Sequence, residues 1–195
     1  MNKLNMTGAI LAGGKSRRMG YNKAFIPTAE GPIIERTVRI MSSIFEIPFI
    51  VATQVATYNR LGVPVYPDII AGGSLGGIYT ALSLSEKDNV FVTACDMPWL
   101  DDACIRAVAL RAGKVDCVVP FIGGRLHPMH AAYSRRCLDA IEKMIKGGNF
   151  RINALFDRID ALRLTEKDFT GLPIERSVEN VNTEEDLLRA GLDGK

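Results

Sequence analysis

Residues 8–24 read GAILAGGKSRRMGYNKA, an apolar run that ends in two glycines and continues into a cluster of cations. The apolar segment 6–11 is short and enters the glycines directly, which predicts a buried strand that leads into a loop. Cations packed beside glycines repel one another unless an anion lies among them. The stretch therefore predicts a phosphate-binding loop at the end of the first strand.

Short apolar segments alternate with helical patterns along the rest of the chain. Strands are predicted over 6–11, 48–53, 62–66, 89–94, 116–120, 130–134 and 160–164. Helices are predicted over 32–45, 78–85, 101–112, 135–146, 149–158 and 183–191. The strands are apolar throughout rather than at every second residue, which is typical of a parallel sheet covered by helices on both faces. We therefore predict one α/β domain over residues 1–195, with three α/β/α layers and a mostly parallel, Rossmann-like sheet.

Several polar or glycine-rich positions directly follow predicted strands. They are Gly13, Asp68, the glycine-rich segment 72–77 and Asp96. In open parallel sheets, ligands bind outside the carboxyl ends of the strands, near the point where the strand order reverses. We expect these positions to gather at one edge of the sheet.

Composition excludes several classes of protein. The 195 residues carry a net charge of +2, too small to indicate a nucleic-acid or membrane partner. No apolar run approaches the ~20 residues of a membrane span. The four cysteines lie in apolar or helical settings without C-x-x-C spacing, which favours reduced core thiols and a cytoplasmic location.

Two common phosphate-loop patterns do not fit residues 8–24. A Walker A loop, G-x-x-x-x-G-K-[ST], requires glycine at the position of Ala9, and this mismatch disfavours a small P-loop GTPase. The dinucleotide pattern G-x-G-x-x-G fails because Gly13 and Gly14 are adjacent. The pattern that fits is L-A-G-G-x-S-x-R-M-G-x-x-K, which runs from Leu11 to Lys23.

This pattern resembles the signature of nucleotidyltransferases with the nucleotide-diphospho-sugar transferase fold. It is most similar to that of the molybdenum cofactor guanylyltransferases, a MobA-like family. The resemblance continues in order through GSLGGI at 73–78, CDMP at 95–98, RLHP at 125–128 and NVNTEEDL at 180–187. These matches span nearly the whole chain.

The resemblance implies transfer of GMP from GTP to the phosphate of molybdenum-molybdopterin, with release of pyrophosphate. It implies Mg²⁺ held by Asp96, and catalytic roles for Lys23, Arg18 and Asp96. The implied nucleotide-binding residues are Leu11, Ala12, Gly13, Gly14, Ser16, Lys23, Thr53, Asp68, Gly76 and Asp96. The expected acceptor-binding residues are Lys15, Arg17, Arg125, His127, Asn180 and Asn182. Residues 1–100 would form the nucleotide- and metal-binding half and 101–195 the acceptor half, with cofactor-insertion proteins or molybdenum enzymes as further partners.

Departures from the family pattern keep other functions open. Asn22 stands where the family usually has aspartate, and Thr53 or Gln54 would replace an asparagine that helps to hold the nucleoside. Gly13 favours GTP, because relatives that use CTP tend to have alanine there and the missing methyl leaves room for a purine. The alternatives are a cytidylyltransferase, a sugar-phosphate nucleotidyltransferase, or a GTP-binding module that delivers cofactor without catalysis. The pair His127 and His130 has no third ligand nearby, so zinc is not expected.

Overall fold

The computed structural model describes residues 2–13, 22–181 and 186. Its strands are β1 (Thr7–Leu11), β2 (Pro27–Thr28), β3 (Gly31–Pro32), β4 (Phe49–Val51), β5 (Val65–Tyr66), β6 (Asn89–Ala94), β7 (Cys117–Ile122), β8 (Arg125–Leu126), β9 (His130–Ser134) and β10 (Ala161–Leu164). Its α-helices are α1 (Ile33–Ile44), α2 (Ser74–Leu84), α3 (Asp102–Ala109), α4 (Leu138–Lys146) and α5 (Ile174–Ser177). Strands and helices alternate as predicted.

The main sheet has the strand order β10-β7-β9-β6-β1-β4-β5, and β8 pairs with β7 outside this path. Strand β1 lies between β6 and β4 and is parallel to both, with Leu11 opposite Ala94 on one side and Val51 on the other. Strand β9 is antiparallel to both of its neighbours, β6 and β7. The remaining pairs along this path are parallel, so the prediction of a mostly parallel sheet is confirmed.

Two hydrophobic clusters cover the two faces of the sheet. On one face, α1 and α3 pack with strand residues such as Ile10 and Phe91. On the other face, α2 and α4 pack with the alternate strand residues, among them Ala9 and Val92. Because both faces of the strands are buried, the strands are apolar throughout, as parallel sheets require. The three-layer α/β/α arrangement is confirmed.

The glycine-rich segment 72–77 is not a single loop. Helix α2 begins at Ser74 rather than at residue 78, so Gly76 and Gly77 lie inside its first turns. Gly73 makes the turn before the helix with φ +58° and ψ −135°, a backbone conformation that favours glycine. A Cβ at Gly76 would lie 2.5 Å from the carbonyl oxygen of Ile70, so close backbone packing requires glycine there.

Other boundaries differ at the helix ends. Helix α3 ends at Ala109, short of residue 112, and the side chain of Asp101 caps its start by accepting from the Cys104 N–H at 3.0 Å. The predicted helix 149–158 is a 3₁₀-helix over Ile152–Asp157. The predicted terminal helix 183–191 lies outside the described residues except for Asp186. Among the residues that the structure describes, no helix has the length and apolarity needed to cross a lipid bilayer.

Candidate active site

Four neighbouring parallel strands end at one edge of the sheet. In spatial order they are β6, β1, β4 and β5, and they are followed by Asp96, Gly13, Thr53 and Asp68. Backbone hydrogen bonds continue the alignment past the strands: Cys95 N donates to Leu11 O (3.1 Å) and Ala12 N to Val51 O (2.8 Å). The chain runs from β1 to β4 and β5 on one side, then to β6 on the other. The β1–β6 gap is therefore the switch point at which open α/β sheets bind ligands.

Gly13, Thr53 and Asp68 form one corner of this edge. A Cβ at Gly13 would lie 3.5 Å from Thr53 Oγ1 and 3.6 Å from Asp68 Oδ2, so bare backbone faces two polar side chains. Burial raises the pKa of the Asp68 carboxyl, and a hydrogen bond from the Thr53 hydroxyl partly opposes that rise. The corner therefore offers an oriented carboxylate acceptor beside the bare backbone of Gly13.

Asp96 lies at the switch point under the influence of Lys23. Burial is the largest effect and raises the pKa of the Asp96 carboxyl, while the positive charge of Lys23 lowers it. Asn180 Nδ2 donates to Asp96 Oδ1 at 3.4 Å, and Val181 N donates to the Asp96 carbonyl at 3.0 Å. The carboxylate is thus held by a segment from the far end of the chain.

Lys23 opens a 3₁₀-helix, Lys23–Phe25. Asn22 is its N-cap, since Asn22 Oδ1 accepts from the Ala24 N–H at 3.1 Å. A cap of this kind fixes where the short helix begins and hence where the Lys23 side chain leaves the backbone. Asn22 differs from the aspartate that is usual in the family, but it still caps the helix, because asparagine is as good an N-cap as aspartate.

The residues present fit a magnesium ion that takes some of its ligands from the protein and the others from substrate phosphates. Among the described parts of the chain, no group of three or more histidine, cysteine, aspartate or glutamate side chains converges on a possible metal position. Mg²⁺ usually takes one or two carboxylates and completes its coordination with water and substrate phosphates. The Asp96 carboxylate supplies such a ligand, and it is a hard oxygen donor of the type that Mg²⁺ prefers.

The two histidines of 127–130 are engaged with the protein interior. His127 Nε2 lies 3.2 Å from the Ile122 carbonyl oxygen, and burial lowers the pKa of this ring. His130 Nε2 lies 3.0 Å from Ser177 Oγ, and its pKa is lowered to about 4 by burial. A role for His127 at the acceptor stays a prediction, as does that of Arg125, which is exposed on β8.

The remaining predicted site residues divide into two sets. Leu11 and Ala12 lie at the end of β1, and the Leu11 side chain packs where a Cβ at Gly77 would approach it within 2.8 Å. Several lie outside the described residues: Gly14, Lys15, Ser16, Arg17, Arg18 and Asn182.

Sequence reasoning missed Tyr58, which is 3% exposed and accepts a hydrogen bond from Asn22. Nothing in its segment, VATYNRLG, distinguishes it.

The family described as "MobA-like NTP transferase domain" matches residues 8–162. The chain belongs to the MobA-like NTP transferase family. Two similar relatives of this family member are the probable molybdenum cofactor guanylyltransferase of Pelotomaculum thermopropionicum and the molybdenum cofactor guanylyltransferase of Desulfosudis oleivorans. The first is 34% identical, covering 96% of this chain and 92% of that protein. The second is also 34% identical, covering 95% of this chain and 94% of that protein.

A solved structure resembles this MobA-like chain over nearly its whole length. It is the molybdopterin-guanine dinucleotide biosynthesis protein A from Archaeoglobus fulgidus, with a TM-score of 0.81 and 25% identity, covering 95% of this chain and 96% of that one. The fold and the family expected from the glycine-rich loop and its companion motifs are therefore confirmed.

Proposed function

We propose that this protein transfers GMP from GTP to the phosphate of molybdopterin-bound molybdenum cofactor and releases pyrophosphate. The observation that carries the proposal is the position of Asp96. This carboxylate lies at the β1–β6 switch point, under the positive charge of Lys23. The bare backbone of Gly13 follows the adjacent strand. The names of the relatives support the choice of GMP as the transferred group and of the molybdenum cofactor as acceptor.

The reaction is a displacement at the α-phosphorus of GTP. An oxygen of the acceptor phosphate forms a bond to that phosphorus, and the bond to the bridging α–β oxygen breaks. The electron pair leaves with pyrophosphate. Because the attacking phosphate is already an anion, no general base is required, and the work of the site is to align two anions that repel each other.

Mg²⁺ and two cationic side chains would each neutralise part of the negative charge of the phosphates. Asp96 would hold Mg²⁺, which when bound neutralises phosphate oxygens in the ground state and in the transition state. The Lys23 ammonium would bind the phosphate oxygens on which charge accumulates as pyrophosphate leaves, with Arg18 as the second cation. Asn180 keeps the Asp96 carboxylate oriented through its side-chain amide.

The corner at Gly13 suits guanine. Guanine presents N–H donors on its Watson–Crick edge, and the Asp68 carboxylate is an acceptor for such donors. Thr53 donates to that carboxylate and so limits its rotation. A methyl group at Gly13 would enter the space beside these two side chains, 3.5 to 3.6 Å from their oxygens.

The acceptor half is assigned to residues 101–195, and the nucleotide and metal half to residues 1–100. In this proposal the acceptor is bound by Arg125, His127 and Asn180, which the structure describes, and by Lys15, Arg17 and Asn182, which lie outside the described residues. The cations among them, Lys15, Arg17 and Arg125, match the negative phosphate of the pterin. The product would pass to molybdenum enzymes or cofactor-insertion proteins.

The four cysteines, all within the described residues, are free thiols, which suits the reducing cytoplasm.

The experiment measures pyrophosphate released from GTP, CTP and ATP in the presence of Mg²⁺ and molybdenum-molybdopterin. We expect release from GTP that depends on both the metal and the acceptor, and loss of that release in Asp96→Asn. Faster release from CTP would establish a cytidylyltransferase instead. GTP binding without any pyrophosphate release would establish a delivery module.

A further inference from the structure

Tyr58 contacts the residues on either side of Lys23. Its hydroxyl oxygen accepts a hydrogen bond from Asn22 Nδ2 at 2.9 Å. Its ring stacks on that of Phe25, with centroids 5.7 Å apart and planes inclined by 20°. Asn22 and Phe25 are the N-cap and the last residue of the short helix that Lys23 opens. Tyr58 therefore holds that helix at both of its ends.

The same hydroxyl also points at the end of β1. Tyr58 Oη lies 3.5 Å from the Ala12 carbonyl oxygen, at the long limit of a hydrogen bond. Because the Asn22 amide is the donor in the first contact, the phenol keeps its own proton for the second. Burial raises the pKa of Tyr58, so the phenol stays protonated at neutral pH. One hydroxyl thus joins the end of the central strand to the start of the lysine-bearing helix.

We propose that Tyr58 is a positioning residue for Lys23, acting through the chain Asn22 Nδ2–H to Tyr58 Oη–H to the Ala12 carbonyl. This inference rests on the proposed function, in which Lys23 binds the departing phosphates. The start of this helix sets where the Lys23 side chain leaves the backbone, so a displaced helix would move the ammonium from its place beside Asp96. Misplacement of a reacting group by about 1 Å can reduce a rate by about 100-fold.

The direction of this hydrogen-bond chain depends on asparagine at position 22. A carboxylate there can only accept, so the phenol would turn its proton toward the carboxylate and away from Ala12. The carboxylate would also place a negative charge beside Lys23. Asn22→Asp is therefore expected to reverse the direction of the hydrogen bond to Tyr58, even though aspartate caps a helix as well as asparagine does.

The first test is Tyr58→Phe, which keeps the ring that stacks on Phe25 and removes only the hydroxyl. We expect kcat for GMP transfer to fall by about 10-fold, with a smaller change in KM for GTP. The matched control is Tyr133→Phe, which removes another buried hydroxyl, on strand β9, that donates to the Pro128 carbonyl at 2.8 Å. That control is expected to lower the thermal midpoint and leave kcat at the wild-type value.

The second test separates positioning from general stability. Tyr58→Phe is combined with Lys23→Ala, and single-turnover GMP transfer is followed with excess enzyme and labelled GTP. A positioning residue has nothing left to position in Lys23→Ala, so the hydroxyl should make no further difference there. The same 10-fold loss in both backgrounds, or an unchanged kcat in Tyr58→Phe alone, would overturn the inference. A wild-type protein that releases no pyrophosphate would instead contradict the proposed function.

Discussion

The Asn180 side-chain amide donates to the Asp96 carboxylate over 3.4 Å, and the neighbouring Val181 N–H donates to the Asp96 carbonyl at 3.0 Å. The segment 180–181 therefore returns to the end of β6 and holds Asp96 at two points, its side-chain carboxylate and its main-chain carbonyl. Ser177, in the preceding helix α5, extends the same connection by accepting from the Asp101 N–H at 3.0 Å. This segment orients the proposed metal ligand.

Replacement of Asn180 should weaken metal-dependent nucleotide binding. Because the hydrogen bond is long, we expect Asn180→Ala to raise the dissociation constant for Mg²⁺–GTP by only about 3-fold. Titration calorimetry with and without Mg²⁺ measures the effect. Glu179→Ala, at the exposed neighbouring position, is the matched control and should bind as the wild type does. Equal losses in both variants would mean that Asn180 does not act through Asp96.

Gly13→Ala tests whether guanine binds at the corner formed by Gly13, Thr53 and Asp68. The added Cβ would meet Thr53 Oγ1 and Asp68 Oδ2 at ordinary contact distances of 3.5 and 3.6 Å, so the fold should tolerate it. We expect the thermal midpoint to stay within about 2 °C of wild type, because a substitution without a clash changes stability by only a few tenths of a kcal/mol. GTP binding should weaken while CTP binding changes less, which calorimetry would show. Unchanged GTP affinity would mean that the base does not enter this corner.

Gly76→Ala should act on stability. Its Cβ would lie 2.5 Å from the Ile70 carbonyl oxygen, which is backbone and cannot move aside cheaply. The expected cost is about 2 kcal/mol in the free energy of unfolding, in the range of overpacked sites. Urea denaturation measures it, with Ser74→Ala in the exposed first turn of α2 as the control. A variant of wild-type stability that fails to bind GTP would instead support the predicted contact of Gly76 with the nucleotide.

Acidification should destabilise the fold through His130. This ring is fully buried, its Nδ1 has no hydrogen-bond partner among the described residues, and its pKa is lowered to about 4. Between about pH 6.5 and pH 4 the unfolded chain binds a proton there and the folded chain does not, so stability falls as the pH falls. The loss is on the order of 3 kcal/mol, at 1.36 kcal/mol for each unit of the shift from 6.5 to about 4.

The variant His130→Gln tests this, because glutamine stays neutral across that range. Urea unfolding at pH 7, 5.5 and 4.5 should show a stability difference between wild type and variant that narrows or reverses as the pH falls. His127, whose pKa is also lowered by burial, titrates in both proteins and cancels in the comparison. Two parallel stability curves would show that His130 is not responsible.

The sequence was most informative where burial determines residue type. Continuous apolar strands such as 89–94 predicted a parallel sheet, and the residues after them gathered at one edge as expected. The pattern 72–77 was less informative, because glycine marks a close approach without saying what approaches. At Gly76 the structure shows the Ile70 carbonyl, a contact that depends on how α2 packs.

Long-range contacts of the site could not be read from local patterns. The segment NVNT at 180–183 predicts a role for Asn180, but only the fold brings this residue to Asp96. Tyr58 belongs to a segment with ordinary turn residues, and its proposed positioning role depends on its hydrogen bond with Asn22. Such contacts depend on the order of the strands, which the residues of a single segment do not contain.

The central place of β1 has a consequence for how the protein is made. This strand leaves the ribosome before β4 and β6, yet β6 is one of its partners, with Thr7 opposite Val90. Until β4 and β6 have been synthesised, a short apolar segment has both of its edges unpaired, the condition under which nascent chains aggregate. Helix α1 is made soon after β1 and buries residues such as Met41 in the same cluster as Ile10. We expect a nascent chain released before residue 94 to require a chaperone, and a complete chain to fold without one.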